Sequence, residues 1–116
     1  MPSVLSVYCK DGGQFHVSDD IIKACGVFRN FHAHHSIYVD IDERLFRWVL
    51  ASRGKDLRTL EKELIDMDDQ MLLGIVYATT NLQHQQLGKL AINAVNARMM
   101  SYVYYTTLSY SILINS

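Results

Sequence analysis

Asp68 to Met99 constrains the fold more than any other stretch, because it reads as two consecutive helices of different character joined by a polar bend. Asp68 and Asp69 stand where a helix start needs a side-chain acceptor and negative charge. Met71, Leu72, Leu73, Ile75, Val76, Tyr77 and Ala78 follow with only Gly74 among them, so this helix is apolar nearly all round and is expected to be buried. Beyond Thr79, Thr80 and Asn81, the run Gln83-His84-Gln85-Gln86 is too polar for a core. Leu87, Leu90, Ala91, Ala94 and Val95 then recur at i, i+3, i+4, i+7 and i+8, which makes the second helix amphipathic. With 116 residues the chain is one domain's worth, enough to bury roughly two thirds of its unfolded surface.

The segments before this pair supply a small sheet and short helices. Leu5, Val7 and Cys9 alternate with Ser6 and Tyr8 as a half-buried strand does. Asp11-Gly12-Gly13 then provides a tight turn, and Phe15 and Val17 resume the inward face, giving a hairpin. Ser18 is a candidate N-cap for a helix with Asp19 and Asp20 in its first turn and Ile21, Ile22, Ala24 and Cys25 inward, ended or bent at Gly26. A second short helix is expected to bury Val27, Phe28 and Phe31. Ala33-His34-His35-Ser36 reads as a loop, and Ile37, Val39 and Ile41 as a third strand. From Asp42, a cap, the period becomes helical through Leu45, Phe46, Val49 and Leu50 to about Gly54. Arg53 to Asp69 is a charge-rich solvated connector, with a short helix expected around Leu60 and Leu64.

Residues 101–116 form an uncharged aromatic tail, set apart from a domain at 1–100. Tyr102, Val103, Tyr104, Tyr105, Leu108, Tyr110, Ile112, Leu113 and Ile114 give it a β-branched and aromatic composition that favours a strand or hairpin. Left free, such an end is an aggregation hazard, so it must pack on the domain, meet a partner, or be sequence that does not fold natively.

Several function classes find no support. A formal net charge of −1 with 20% charged residues is too balanced to draw the chain to nucleic acid or an anionic membrane. Met1-Pro2-Ser3 leads into an alternating segment rather than a basic-then-apolar leader, and no apolar run reaches the roughly 18–20 residues that span a bilayer. A cytoplasmic or nuclear location without membrane contact is expected. Cys9 and Cys25, among apolar neighbours and without CxxC spacing, read as reduced core residues. His32, His34 and His35, with His16 and Cys25 elsewhere, lack the thiolate-paired spacing of a zinc site and read as a solvated loop, so no metal or cofactor is expected. Neither Ser18 nor Cys25 has the context of a nucleophile, and Asp11-Gly12-Gly13 lacks the lysine and spacing of a phosphate loop. No catalytic residue is assigned, and a non-enzymatic role is expected. Trp48, flanked by Arg47 and Val49 and off the Leu45–Val49 stripe, hints at a contact surface.

The order strand, turn, strand, two short helices, strand, helix, buried helix pair resembles the BTB/POZ fold, and more specifically the Skp family of adaptors in SCF ubiquitin ligases. Lys10-Asp11-Gly12-Gly13-Gln14-Phe15-His16-Val17 is similar to the family's Ser-Asp-Gly-x-x-Phe-x-Val hairpin, and Ser18 to Cys25 stands in place of its first helix. Asp68 to Leu82 is similar to its Asp-Gln-x-x-Leu-x-x-Leu-x-x-Ala-Ala-Asn-Tyr-Leu segment, with Leu87 to Met99 as the following helix. The resemblance covers roughly residues 4–100. It implies an α+β, BTB/POZ-like domain with a small three-stranded sheet and about five to six helices. It further implies an adaptor that joins a cullin to the F-box helices of a substrate receptor for ubiquitin-dependent degradation. The family's Asn-Tyr pair at the cullin contact falls on Thr80 and Asn81, both different here. The F-box surface falls on Leu82, Leu87, Leu90, Asn93 and Ala94, and the two helices that complete it in the family are replaced by the Tyr-rich tail. The alternative is a self-associating BTB/POZ homodimer, or an elongin-C-like interaction module without cullin binding.

Overall fold

The computed structural model describes residues 5–29 and 36–115. Phe31, His32, His34 and His35, expected in a short helix and a loop, lie outside the described residues.

Strand β1, Leu5–Cys9, is the centre of a three-stranded sheet of order β2-β1-β3. Its alternation is realised as read: Leu5, Val7 and Cys9 are buried and Ser6 and Tyr8 are half-buried. Antiparallel β2, Gln14–Val17, pairs Leu5 with Val17 and Val7 with Phe15. The turn between them needs Gly12 at φ 92°, a conformation that L side chains avoid; the Gly12 N–H donates to Cys9 O at 3.0 Å and the Cys9 N–H to Gly13 O at 2.8 Å. Strand β3, Ser36–Val39, lies parallel to β1 on its other edge, with Val7 opposite Ile37 and Tyr8 opposite Tyr38, whose rings stack at 5.2 Å. Ser36, expected in the loop, thus opens the strand.

Helix α1, Asp19–Ala24, begins after Ser18, whose side chain makes no capping bond, and a 3-10 turn at Gly26–Phe28 drives Phe28 fully into the core. Three later helices start on aspartates whose carboxylates accept the N–H three residues on. Asp42 receives Leu45 N at 2.9 Å for α2, Glu43–Ala51. Asp56 receives Thr59 N at 2.7 Å for α3, Leu57–Asp66, and Asp68 receives Met71 N at 2.7 Å for α4, Asp69–Leu82. The hairpin turn is fastened to the same machinery, because both oxygens of Asp11 accept from Glu43 N, at 3.0 and 3.1 Å.

The core lies between the sheet and α4. Leu5, Val7, Phe28, Ile41, Phe46, Val49 and Leu82 form one cluster, and Leu64, Leu72, Ile75, Ala91 and Ala94 a second, with Leu45, Trp48 and Leu90 packed against both. Trp48 is therefore a half-buried bridge between the two clusters, with the Lys55 ammonium 6.0 Å from its ring. Gly74 lets α4 approach α2: a Cβ there would meet Leu45 Cδ2 at 2.9 Å. Both cysteines are free and buried, and burial pushes their thiols up, Cys9 to about 11 and Cys25 to about 12.

Two expectations are corrected. Helix α4 is not buried all round: Leu72, Ile75, Ala78, Thr79 and Leu82 face inward, whereas Leu73 is 58% and Tyr77 44% exposed. The tail is not a strand or hairpin. Helix α5 runs without a break from Gln85 to Asn115, 31 residues or about 46 Å, in a molecule whose longest dimension is 70 Å. The physical reason is propagation: the turns packed on α4 supply a nucleus, so each further residue adds a hydrogen bond at little cost, and β propensity is worth only tenths of a kcal/mol per residue.

Candidate interaction surface

The residues singled out by sequence converge on the α4–α5 corner, and its construction decides which of them meet solvent. Helix α4 ends at Gln83 in the left-handed region, φ 57° and ψ 41°, and the Gln83 carbonyl accepts from Gly26 N at 3.1 Å. That reversal turns His84 inward. Its N–H donates to Thr79 O at 2.9 Å, its carbonyl accepts from Gly88 N at 2.9 Å, and its ring Nδ1 accepts from Leu87 N at 3.3 Å, so His84 caps α5. The segment read as too polar for the core therefore delivers a histidine only 8% exposed, because its polar atoms close the turn. Burial foremost, with a smaller contribution from the Arg53 guanidinium, holds its pKa below the ordinary imidazole value.

Thr80 is exposed and its hydroxyl donates to Val76 O at 2.8 Å. Asn81 is half-buried, one turn after Tyr77, whose phenol donates to Asp40 Oδ2 at 2.6 Å. The bond to Asp40 holds the Tyr77 phenol above its ordinary pKa. Leu73, Tyr77 and Thr80, at i, i+4 and i+7, share the outer face of α4. An aromatic thus stands one turn before Asn81 and not beside it. The inward spacing Leu72, Ile75, Thr79, Leu82 carried the signal that would have placed Leu73 outside.

Of the residues that the resemblance assigns to an F-box surface, Leu82, Leu87 and Ala94 are at most 6% exposed and belong to the core, Leu90 is half-buried, and Asn93 alone is exposed. The solvent face of α5 instead presents Ile92, Met99 and Val103, at 47%, 58% and 56% exposure. Arg98 and Tyr102 tie α5 to the end of α3 and the start of α4. Arg98 Nη1 donates to Asp69 Oδ1 at 2.8 Å and Nη2 to the carbonyls of Leu64, Ile65 and Met67, which closes the C-terminal end of α3; Tyr102 donates to Asp69 Oδ2 at 3.3 Å. Beyond this, residues 101–108 are exposed on every side, including Tyr104, Tyr105 and Leu108, and no residue from Met99 onward carries a charge.

Among the described residues no group of three or more His, Cys, Asp or Glu side chains could hold a metal ion, and no helix is long and apolar enough to cross a membrane. A scan of the chain against protein-family models gives no match, and a search among curated proteins gives no significant relative.

Proposed function

We propose that the chain is a non-catalytic adaptor subunit of an SCF-type ubiquitin ligase, which holds an F-box substrate receptor through α5 and a cullin through the outer face of α4. One observation carries the reading: from Met99 onward α5 continues without a charged side chain, and Met99, Met100, Tyr102, Val103, Tyr104, Tyr105 and Leu108 are each 44–68% exposed. Exposed apolar surface of this extent marks an interaction site in a folded protein. The resemblance of residues 4–100 to the Skp family supplies the identity of the partners. The adaptor works by burying helix surface, and Tyr102, Tyr104 and Tyr105 are of the residue type that anchors such interfaces. The ligase chemistry resides in other subunits.

The test is a pull-down of the full chain and of Tyr105→Glu/Leu108→Glu against a panel of F-box proteins and cullin N-terminal domains. Capture of an F-box protein by the wild-type chain, lost in the double variant, is the expected result. Folded wild-type protein that captures neither class refutes the adaptor reading. A concentration-dependent homodimer that persists without either partner replaces it with a self-associating module.

A further inference from the structure

On the side of the molecule away from the overhanging helix, α1, the 3-10 turn at Ser52–Gly54, the start of α3 and the first turn of α5 enclose a cleft of about 530 Å³. Lys23, Arg53 and Lys55 bring cations to it, and Asp20 is the one carboxylate on its wall. Lys55 is engaged by Glu63 at 2.8 and 2.9 Å. Arg53 makes a single contact to Asp20, at 3.1 Å, which leaves most of the guanidinium's donors unused. Lys23 has no acceptor for its ammonium among the described residues.

The fourth donor is His84, which is more than nine-tenths buried and lines the same cleft. Because Nδ1 accepts from Leu87 N, the ring's proton sits on Nε2, and that N–H has no acceptor among the described residues. Arg53 and His84 both line the cleft wall. Behind them the first turn of α5 adds the positive end of a 31-residue helix, with Gln86 on the cleft wall. The remaining wall is apolar: Leu57, Leu60 and Leu90.

From this juxtaposition of Lys23, Arg53, the Nε2–H of His84 and the α5 N-terminus above an apolar wall, we propose that the cleft is an oxyanion-binding site for a phosphate or carboxylate group carried on an apolar body. The oxyanion is held against the wall that Lys23, Arg53 and His84 line, and the apolar body covers Leu57, Leu60 and Leu90. Nothing in this depends on the α5 overhang or on the adaptor reading.

The experiment is an NMR titration of the uniformly ¹⁵N-labelled full chain at constant ionic strength. Its probes are inorganic phosphate, the blocked peptide acetyl-Leu-phosphoserine-Leu-amide, and that peptide with glutamate in place of phosphoserine. Saturable shifts at the Lys23 and Gln86 amides and at His84 Nε2 are expected, with the better peptide binding at least about ten-fold tighter than phosphate through its leucines. Arg53→Gln and Lys23→Gln, both at solvent-reached positions, are each expected to weaken binding by about five-fold, and Lys62→Gln on the outer side of α3 to leave it unchanged. Preference for the phosphoserine peptide assigns a phosphate ligand; equal binding of the glutamate peptide assigns a carboxylate. Shifts that sodium chloride reproduces, an absence of saturable shifts with all three probes, or affinity unchanged in Arg53→Gln would each overturn the site.

Discussion

Replacing Arg98 with methionine tests whether α5 is held to the body by hydrogen bonding or by apolar packing alone. The methionine keeps the length of the side chain and its contacts with the helix surface but removes the guanidinium, which donates to three carbonyls at the end of α3 and to Asp69. The Arg98 side chain is 20% exposed, so this is a partly buried charge-assisted set, worth about 1.5–3 kcal/mol. Asp69 is 64% exposed and adds at most about 1 kcal/mol, while the Ile65 carbonyl regains water once vacated. The expected loss is about 2–3 kcal/mol. For a chain of 116 residues, each kcal/mol moves the melting temperature by about 4 °C, so thermal unfolding followed by circular dichroism is expected to shift down by about 8–12 °C. Arg98→Lys is expected to recover less than half of this, since an ammonium restores the pair with Asp69 but not the fork that reaches three carbonyls. The shift is expected to survive about 0.5 M sodium chloride, which screens the exposed pair far more than the carbonyl bonds. A melting temperature for Arg98→Met within about 3 °C of wild type, or full recovery by lysine, would refute the reasoning.

Three further outcomes follow from the geometry. Cys9 and Cys25, with thiols raised to about 11 and about 12, are expected to react with Ellman's reagent at neutral pH only on the timescale of unfolding, and both within seconds in denaturant; fast labelling of the native chain would contradict their burial. The Thr59 N–H bond holds the Asp56 carboxyl below its ordinary pKa, so its stabilisation is present above the unfolded value of about 3.9 and is lost as pH falls through the lower folded value. The urea midpoint of wild type is therefore expected to exceed that of Asp56→Asn at pH 6 and to converge on it in acid, whereas a constant gap would sink the argument. Gly12→Ala is expected to lose about 1 kcal/mol, with Gly12→Asn losing less, because a Cβ at this position meets nothing within 4 Å and only the backbone at φ +92° resists it. Equal stability of glycine and alanine in chemical denaturation would count against a left-handed turn.

The parts of the fold legible in the sequence are those written in local chemistry. The hairpin followed from Asp11-Gly12-Gly13 between two alternating runs, and Asp42 and Asp68 announced their helices because a carboxylate at an N-cap answers an unpaired N–H a few atoms away. The stripe of Leu87, Ala91 and Ala94 marked an amphipathic helix because its period matches a helix. What stayed hidden depends on neighbours distant in the chain. Tyr77 is outside because Asp40, 37 positions earlier, accepts its hydroxyl at the surface. His84 is inside because a left-handed Gln83, seated against Gly26, folds it under α4. Residues 101–115 carry strand-forming side chains and are nevertheless helical, since continuity with packed turns outweighs composition. For the candidate surface, Asn93 and Thr80 meet solvent, while the burial of Leu82, Leu87 and Ala94 could not be told from exposure by periodicity, because core and interface share the same spacing.

The placement of β1 between an antiparallel and a parallel neighbour also sets an order of assembly. Tyr8 meets Gln14 after a separation of 6 positions but meets Tyr38 only after 30, with α1 threaded between. Closing the longer loop costs about 1.4 kcal/mol more chain entropy than the shorter one. During synthesis the hairpin can therefore close long before its third strand has emerged, and for that interval one edge of β1, with Ser6 and Tyr8 on its outer face, stands open. Until Ser36–Val39 pairs along it, that edge is a template for another strand.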